Sequence, residues 1–79
     1  MEVVVKYLGM IAEEVGCESE TITIEVNETV QTFRGKLEVQ YPPLHSKTYR
    51  IAVNHELCDS DTIIPADAEI ALLPAFAGG

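Results

Sequence analysis

Alternating apolar positions near the start of the chain predict two β-strands. In the first strand, the residues in phase are Val3, Val5 and Tyr7. In the second, residues 21–26, the aliphatic side chains on one face are Ile22, Ile24 and Val26. Between Gly9 and Gly16, residues 10–15 have room for one or two helical turns. We therefore expect the chain to open with an antiparallel hairpin.

A longer helix is predicted by apolar residues spaced three to four positions apart. They are Val30, Phe33, Leu37 and Tyr41. Thr29 precedes the first of them and is expected to be the N-cap. Pro42-Pro43 follows the last and is expected to stop the helix. The apolar face of this helix is expected to cover one face of a sheet.

The second half of the chain predicts three further strands. They are expected at residues 48–53, 56–58 and 69–73. A tight turn at Asn54-His55 is expected to join the first two of them. Asp61 is expected to cap a single helical turn through Ile63-Ile64, and Pro65-Ala-Asp67 is expected to form the turn before the last strand.

Strands arranged around one main helix indicate a two-layer α+β domain with a mixed sheet of four to five strands. The first strand starts at residue 2 and the last strand is strongly apolar, so we expect both of them in the centre of the sheet. Residues 1–74 are expected to form the domain. Residues 75–79, which end in Gly-Gly, are expected to form a flexible tail.

Composition indicates a small globular protein that binds other proteins. The chain has 79 residues, of which 47% are hydrophobic, and this is enough for one small core. Its net charge of −8 disfavours binding to nucleic acid and favours a protein partner with a basic surface. The sequence has no membrane-span pattern and no leader pattern, and it therefore predicts a cytoplasmic protein.

Two cysteines and two histidines are the candidate metal ligands. Cys17, Cys58, His45 and His55 could together supply four zinc ligands, but no paired Cys-x-x-Cys or His-x-x-x-His motif is present. We therefore expect no metal site, and we expect both cysteines to be small buried hydrophobic residues. A small metal-binding or redox domain that uses the two cysteines remains one alternative.

The last predicted strand is apolar on both faces. Ile70 and Leu72 lie on one face, and Ala71 and Leu73 lie on the other. The helix covers only one face, so Leu73 is expected to be exposed and to form part of a docking surface. Pro74 is expected to stiffen the chain as it leaves the sheet.

The residues after this strand suggest a tail that enters a partner. Phe76 is too large to be buried by a short tail and is expected to anchor in a pocket of the partner. Ala77, Gly78 and Gly79 have very little side-chain bulk and could thread a narrow channel. The carboxylate of Gly79 is expected to be the reactive group.

The segment Leu72-Leu-Pro-Ala-Phe-Ala-Gly-Gly79 resembles the C-terminal signature of the small, sulfur-carrier subunit of molybdopterin synthase. Residues 3–8, 13–16 and 51–54 also match the pattern of that family. The resemblance implies a ubiquitin-like β-grasp fold. The chain departs from the pattern at Ala75, where a second proline is common, and at Asp67, where a turn glycine is common.

The resemblance also implies partners and a chemical role. An adenylating enzyme of the ubiquitin-activating type, which uses ATP and magnesium, would join the Gly79 carboxylate to AMP. A sulfurtransferase would then convert it to a thiocarboxylate. The large subunit, expected in a heterotetramer with this chain, would pass the sulfur to the cyclic pyranopterin precursor. This chain would bind no cofactor and have no independent activity.

The site residues implied by the resemblance are of two kinds. Gly79 would be the reacting residue, and the residues before it would contact the partner: Leu73, Pro74, Ala75, Phe76, Ala77 and Gly78. Two other classes of function stay open. One is a sulfur carrier for thiamine thiazole synthesis, tRNA thiolation or protein conjugation. The other is a plain interaction module in which the final glycines have no chemical role.

Overall fold

The structure is a computed structural model that describes residues 1–75. Its elements are β1 (Glu2–Tyr7), α1 (Met10–Val15), β2 (Ser19–Thr23), α2 (Val30–Gln40), a 3-10 helix (Pro42–Ser46), β3 (Tyr49–Val53), β4 (Glu56–Leu57) and β5 (Glu69–Pro74). One mixed sheet and one main helix confirm the predicted α+β class. Within this part of the chain, no helix is long and apolar enough to cross a membrane.

The five strands form one sheet in the order β2-β1-β5-β3-β4. Strands β1 and β5 run parallel, whereas the other neighbouring pairs are antiparallel. The predicted central position of the first and last strands is therefore confirmed, as is the opening hairpin of β1 and β2. Because β5 has a hydrogen-bonded neighbour on each side, both of its edges are satisfied.

One buried cluster joins the sheet to the helices. The strands contribute in-phase residues on a single face: Val3, Val5, Tyr7, Tyr49, Ile51, Val53, Ile70 and Leu72. The other layer contributes Ile11, Val30, Phe33, Leu37 and Leu44. Thr29 is the N-cap of α2, because its hydroxyl oxygen accepts the Thr32 N–H at 3.2 Å. The sequence prediction of this helix and of its buried face is confirmed.

The predicted end of the second strand is wrong. The strand occupies Ser19–Thr23, and Val26 is 71% exposed although Ile24 is buried. In the register, Thr23 lies opposite Glu2, where β1 begins, so residues 25–26 have no strand to pair with. The chain turns away instead, and Asn27 adopts a left-handed conformation with φ 65°. Alternation alone did not show where the partner strand ends.

The helical turn predicted after Asp61 is also wrong. Ile63 forms an isolated β-bridge with Thr29, and the Ile64 N–H donates to the Glu28 carbonyl at 2.9 Å. The turn at residues 60–61 and the extended residues that follow it supply acceptors for the first N–H groups of α2, which have no partner within the helix. The Val30 N–H donates to the Thr62 carbonyl at 2.9 Å, and the Gln31 N–H donates to the Ser60 carbonyl at 2.8 Å.

The predicted turns around the second half of the sheet are confirmed. Asn54 and His55 both have positive φ, 51° and 72°, which is the pattern of a tight turn between antiparallel strands. Asp67 has φ 58°, so an aspartate does adopt the left-handed conformation at this turn. Pro42 and Pro43 follow the end of α2 as predicted, but they also begin a 3-10 helix that the sequence pattern did not predict.

Candidate functional site

The chain leaves the sheet at a point fixed on the β3 side. Pro74, the last residue of β5, lies opposite Tyr49 in the register. Beyond it, the Ala75 N–H donates to the Thr48 carbonyl at 3.2 Å. We call these four residues the tail root. The predicted boundary between domain and tail after residue 74 stays a prediction, and Phe76, Ala77, Gly78 and Gly79 lie outside the described residues.

The β1 side fixes the same exit. The Leu8 N–H donates to the Leu72 carbonyl at 3.1 Å, so pairing with β5 extends past the end of β1. Gly9 follows with φ 56°, and a Cβ added to it would lie 3.1 Å from Cγ of Pro74. A glycine is therefore favoured here both by the backbone conformation and by the close approach of the proline ring. The direction of the exit is set from both neighbouring strands.

The open face of the sheet, which the helices do not cover, has an apolar groove of about 370 Å³. Its lining comprises Lys6, Leu8, Ala52, His55, Leu57, Glu69, Ala71 and Leu73. Leu8 is 41% exposed and Leu57 is 54% exposed, whereas Leu73 is half-buried between them and its strand neighbours. Leu73 is thus on the predicted face but less exposed than expected.

One end of this groove is polar. The Lys6 ammonium lies 3.3 Å from one carboxylate oxygen of Glu69, and Nε2 of His55 lies 3.6 Å from the other. Glu69 begins β5, so this ionic group lies at the opposite end of the strand from the tail root. The groove therefore changes from charged to apolar along β5 towards the exit of the tail.

A polar cluster supports the tail root on the helix face. The Tyr49 hydroxyl donates to one oxygen of Glu38 at 2.7 Å, and Nδ1 of His45 lies 3.2 Å from the other oxygen. The hydrogen bond from Tyr49 holds the pKa of the Glu38 carboxyl below its usual range, and His45 adds to this effect. Burial and the Glu38 carboxylate raise the pKa of Tyr49. The guanidinium of Arg34 lies over the Tyr49 ring, 4.9 Å from its centroid.

A second carboxylate ties the end of α2 to the sheet. One oxygen of Glu20, on β2, accepts from the hydroxyls of Tyr7 and Tyr41, each at 2.6 Å. The hydrogen bond to Glu20 raises the pKa of Tyr41 to about 12, and burial raises the pKa of Tyr7. Sequence reasoning missed both Glu20 and Glu38, because it treated the tyrosines as apolar members of a face and assigned no partners to their hydroxyls.

The cysteines pack on the core. Cys17 and Cys58 are both half-buried and contact the main cluster, and Sγ of Cys58 donates to the Glu56 carbonyl at 3.2 Å. Among residues 1–75, no three His, Cys, Asp or Glu side chains are grouped as metal ligands would be. A pocket of about 560 Å³ lies beside Cys17, at the end of β1 and along α1.

Comparison with known proteins places these features in a family. The model of the ThiS family matches residues 5–79. The chain therefore belongs to the ThiS family, and its fold is the ubiquitin-like β-grasp of sulfur carriers. The fold expected from the resemblance is confirmed.

Three solved structures show how far the likeness extends. A putative molybdopterin converting factor subunit 1 from Pyrococcus furiosus is 16% identical, with a TM-score of 0.89 over 96% of this chain and 99% of that one. Small archaeal modifier protein 1 from Haloferax volcanii is 21% identical, with a TM-score of 0.84 over the whole of both chains. A structure of subunits 1 and 2 of the molybdopterin-converting factor from Helicobacter pylori gives 26% identity and a TM-score of 0.70, again over the whole of both chains.

The cluster beside the tail root gives a test of its own. Replacing Tyr49 by Phe removes the strongest cause of the low pKa of Glu38, so this pKa should rise towards the usual range. A lowered carboxyl pKa stabilises the fold at neutral pH, and that stabilisation is lost as the pH falls through the folded-state pKa. The loss of stability in Tyr49→Phe should therefore be larger at neutral pH than in acid.

The measurement is an NMR titration of the Glu38 side-chain carboxyl, together with melting temperatures across the same pH range. Tyr41→Phe is the matched control, since its hydroxyl donates to Glu20 and not to Glu38. An unchanged Glu38 pKa in Tyr49→Phe would show that the hydrogen bond does not control this carboxyl.

Proposed function

We propose that this chain is the sulfur carrier of molybdopterin synthesis and acts in the cytoplasm as the small subunit of molybdopterin synthase. The Gly79 carboxylate attacks the α-phosphate of ATP on an adenylating enzyme, and pyrophosphate leaves. A sulfurtransferase then delivers sulfur at the sulfide level to the acyl carbon, with a thiol supplying two electrons where the donor is a persulfide, and AMP leaves. The product is a thiocarboxylate, whose sulfur forms a bond to the cyclic pyranopterin precursor in the large subunit. Water then cleaves the acyl–sulfur bond and returns Gly79 to the carboxylate. The chain contributes a co-substrate and no catalytic acid or base.

The observation that supports this proposal most directly is the position of β5. This strand is hydrogen-bonded to β1 on one side and to β3 on the other, and it ends at the tail root. The segment that follows has the Phe-Ala-Gly-Gly sequence of the signature. A reactive end that must enter the active sites of two other proteins needs a fixed point of departure, because misplacement by about 1 Å can cost a hundredfold in rate.

The open face supports the same proposal. Leu8, Leu57 and Leu73 surround a groove that reaches from the charged end of β5 towards the tail root. Contiguous exposed apolar surface of this kind marks protein contacts in small soluble domains. Its position beside the tail means that a partner which binds the groove would also receive residues 76–79.

Two of the solved structures support the molybdopterin pathway among the candidate pathways. The Pyrococcus and Helicobacter structures are both molybdopterin converting factor subunits, and the latter is a complex of subunit 1 with subunit 2. The likeness to small archaeal modifier proteins and the family to which the chain belongs keep a second candidate open. That candidate is the same terminal chemistry used for thiamine thiazole synthesis, tRNA thiolation or protein conjugation.

Conversion of Gly79 to a thiocarboxylate is the first test. After incubation with ATP, magnesium, the adenylating enzyme and a sulfur source, the intact mass should increase by the difference between sulfur and oxygen. A chain that lacks Gly79 should show no such increase and should keep its melting temperature. An unmodified wild-type chain, with enzymes shown to be active on another carrier, would contradict the proposed chemistry.

The pathway can be tested in cells that lack their own small subunit of molybdopterin synthase. Expression of this chain should restore the activity of molybdenum enzymes, and the chain without Gly79 should not. Cells that lack their thiamine sulfur carrier are the parallel control. Restoration of thiamine synthesis alone would assign the chain to the second candidate.

The groove can be tested with one charged substitution. Leu73→Asp should weaken binding to the large subunit by about tenfold or more, because it replaces an apolar contact by a carboxylate that must be desolvated on binding, even where its cross-strand neighbour Arg50 pairs with it. Val39→Asp is the matched control: Val39 is 82% exposed on α2, in the layer on the other side of the sheet. Both variants should remain folded by circular dichroism. Equal affinities for Leu73→Asp and the wild type would exclude the groove from the interface.

A further inference from the structure

The basic residues of this acidic chain fall into two groups. The chain has thirteen acidic and five basic residues. Each of the three lysines forms an ion pair with a glutamate: Lys6 with Glu69 at 3.3 Å, Lys36 with Glu28 at 3.0 Å, and Lys47 with Glu14 at 3.3 Å. The two arginines, Arg34 and Arg50, form no ion pair within residues 1–75. The two guanidinium groups therefore lack a carboxylate partner among the described residues, although the chain has an excess of carboxylates.

Both arginines lie beside the tail root, on opposite faces of the sheet. Arg50 is exposed and lies opposite Leu73 in the register, so its side chain extends on the open face. Arg34 belongs to α2 on the helix face, and its guanidinium lies over the ring of Tyr49, which is opposite Pro74. The last residues of β5 therefore leave the sheet between two arginines.

The contacts around Arg34 leave its guanidinium available. Glu38 is the acid one turn away on the same helix, and the charge of Arg34 contributes to its lowered pKa, but the two groups form no ion pair within residues 1–75. Stacking on an aromatic ring uses the face of a guanidinium and leaves the N–H groups at its edge free to donate. The Tyr49 ring thus orients Arg34 without using its hydrogen-bonding capacity.

We infer that Arg34 and Arg50 bind carboxylates of the large subunit, one on each side of the opening that the tail enters. This inference rests on the proposed function and names the chemistry by which the partner recognises the tail root. Planar guanidinium and carboxylate groups form paired hydrogen bonds that fix orientation as well as adding energy. Arginine is also enriched in the contact surfaces of proteins.

Distance favours carboxylates of the partner over a phosphate of its substrate. A tail that threads a channel advances by about 3.3–3.6 Å per residue, so Gly79 would lie about 17 Å beyond Pro74. The acyl-adenylate forms at Gly79, and the pyranopterin precursor receives its sulfur from Gly79. An arginine side chain at the tail root is far too short to reach them, and its ligand must belong to the rim of the opening.

This arrangement also gives the acidic chain a preferred orientation. A net charge of −8 attracts a basic surface from any direction. Such attraction raises the association rate more than it fixes the orientation of the bound chain. Acidic residues at the rim would repel the carboxylate-rich parts of the chain and attract the part that carries the two arginines. The negative charge of the whole chain would then speed association, and the two arginines beside the tail root would fix the orientation in which the chain binds.

The test measures the affinity of the large subunit for variants of the full chain by calorimetry. Arg50→Gln and Ala66→Glu each change the net charge from −8 to −9, but Ala66 is an exposed residue before the start of β5, at the other end of the strand from the tail root. Loss of a hydrogen-bonded charge pair should weaken binding by about ten- to a hundredfold for Arg50→Gln. The effect of Ala66→Glu should stay within about twofold.

Two further variants sharpen the result. Arg50→Lys retains the charge but not the paired geometry, so its affinity should lie between those of the wild type and Arg50→Gln. Arg34→Gln should weaken binding as much as Arg50→Gln does. Arg34 also contacts the Tyr49 ring, so the melting temperature of this variant shows whether the fold has been destabilised as well. Arg50 is exposed, so its variants should keep the wild-type melting temperature and their affinities can be compared with the wild type directly.

Several outcomes would overturn the inference. Equal weakening by Arg50→Gln and Ala66→Glu would show that only net charge matters. Unchanged affinity in both arginine variants, with slower sulfur transfer, would assign the arginines to the phosphate of the substrate. In these two cases wild-type binding and the thiocarboxylate still support the proposed function. A wild-type chain that neither binds the large subunit nor forms the thiocarboxylate would refute the proposed function and this inference together.

Discussion

The pairing of β5 with β1 and β3 is the interaction on which the rest of the structure depends. Parallel pairing of the first and last strands requires everything between them to form a crossover, because parallel strands cannot be joined by a tight turn. That crossover includes α2, whose apolar face closes the core over one face of the sheet. The same pairing places the end of β5 beside Leu8 and Gly9, which follow the end of β1.

Coverage of only one face follows from the size of the chain. A 79-residue domain has one main helix to lay on its sheet, so the other face stays in contact with solvent. This face has aliphatic side chains at Leu8, Leu57 and Leu73 rather than a fully polar surface. The two faces therefore have different roles. One stabilises the fold, and the other provides the apolar surface on which the proposed partner contact depends.

Carboxylates organise the polar part of the molecule. Glu20 holds the hydroxyls of Tyr7 and Tyr41, and Glu38 holds that of Tyr49. The contacts of Tyr41 and Tyr49 tie α2, or the residue that ends it, to a strand, and the contact of Tyr7 joins β1 to β2. A hydrogen bond to a charged acceptor contributes about 1.5–3 kcal/mol, which is a substantial share of the stability of a small domain. Negative charge in this chain thus has structural uses besides solubility.

The sequence by itself determined most of the elements and the class of the protein. The spacing of Val30, Phe33 and Leu37 located α2, alternation located β1, and the segment ending in Gly78-Gly79 indicated the family. These signals are local, since each depends on residues a few positions apart and on the period of a helix or a strand. The sequence also predicted that the Leu73 face of β5 is not covered by α2. Both faces of this strand are apolar, and one helix can cover only one of them.

Only the tertiary structure decided which distant residues meet. Val26 was assigned to a strand because its alternation continues, but the strand ends where β1 supplies no further partner. Arg34 and Arg50 are sixteen positions apart, in a helix and in a strand, and only the strand register and the packing of α2 place both beside Pro74. The physical reason is that pairing register and helix docking are properties of the whole sheet, whereas periodicity is a property of a short segment.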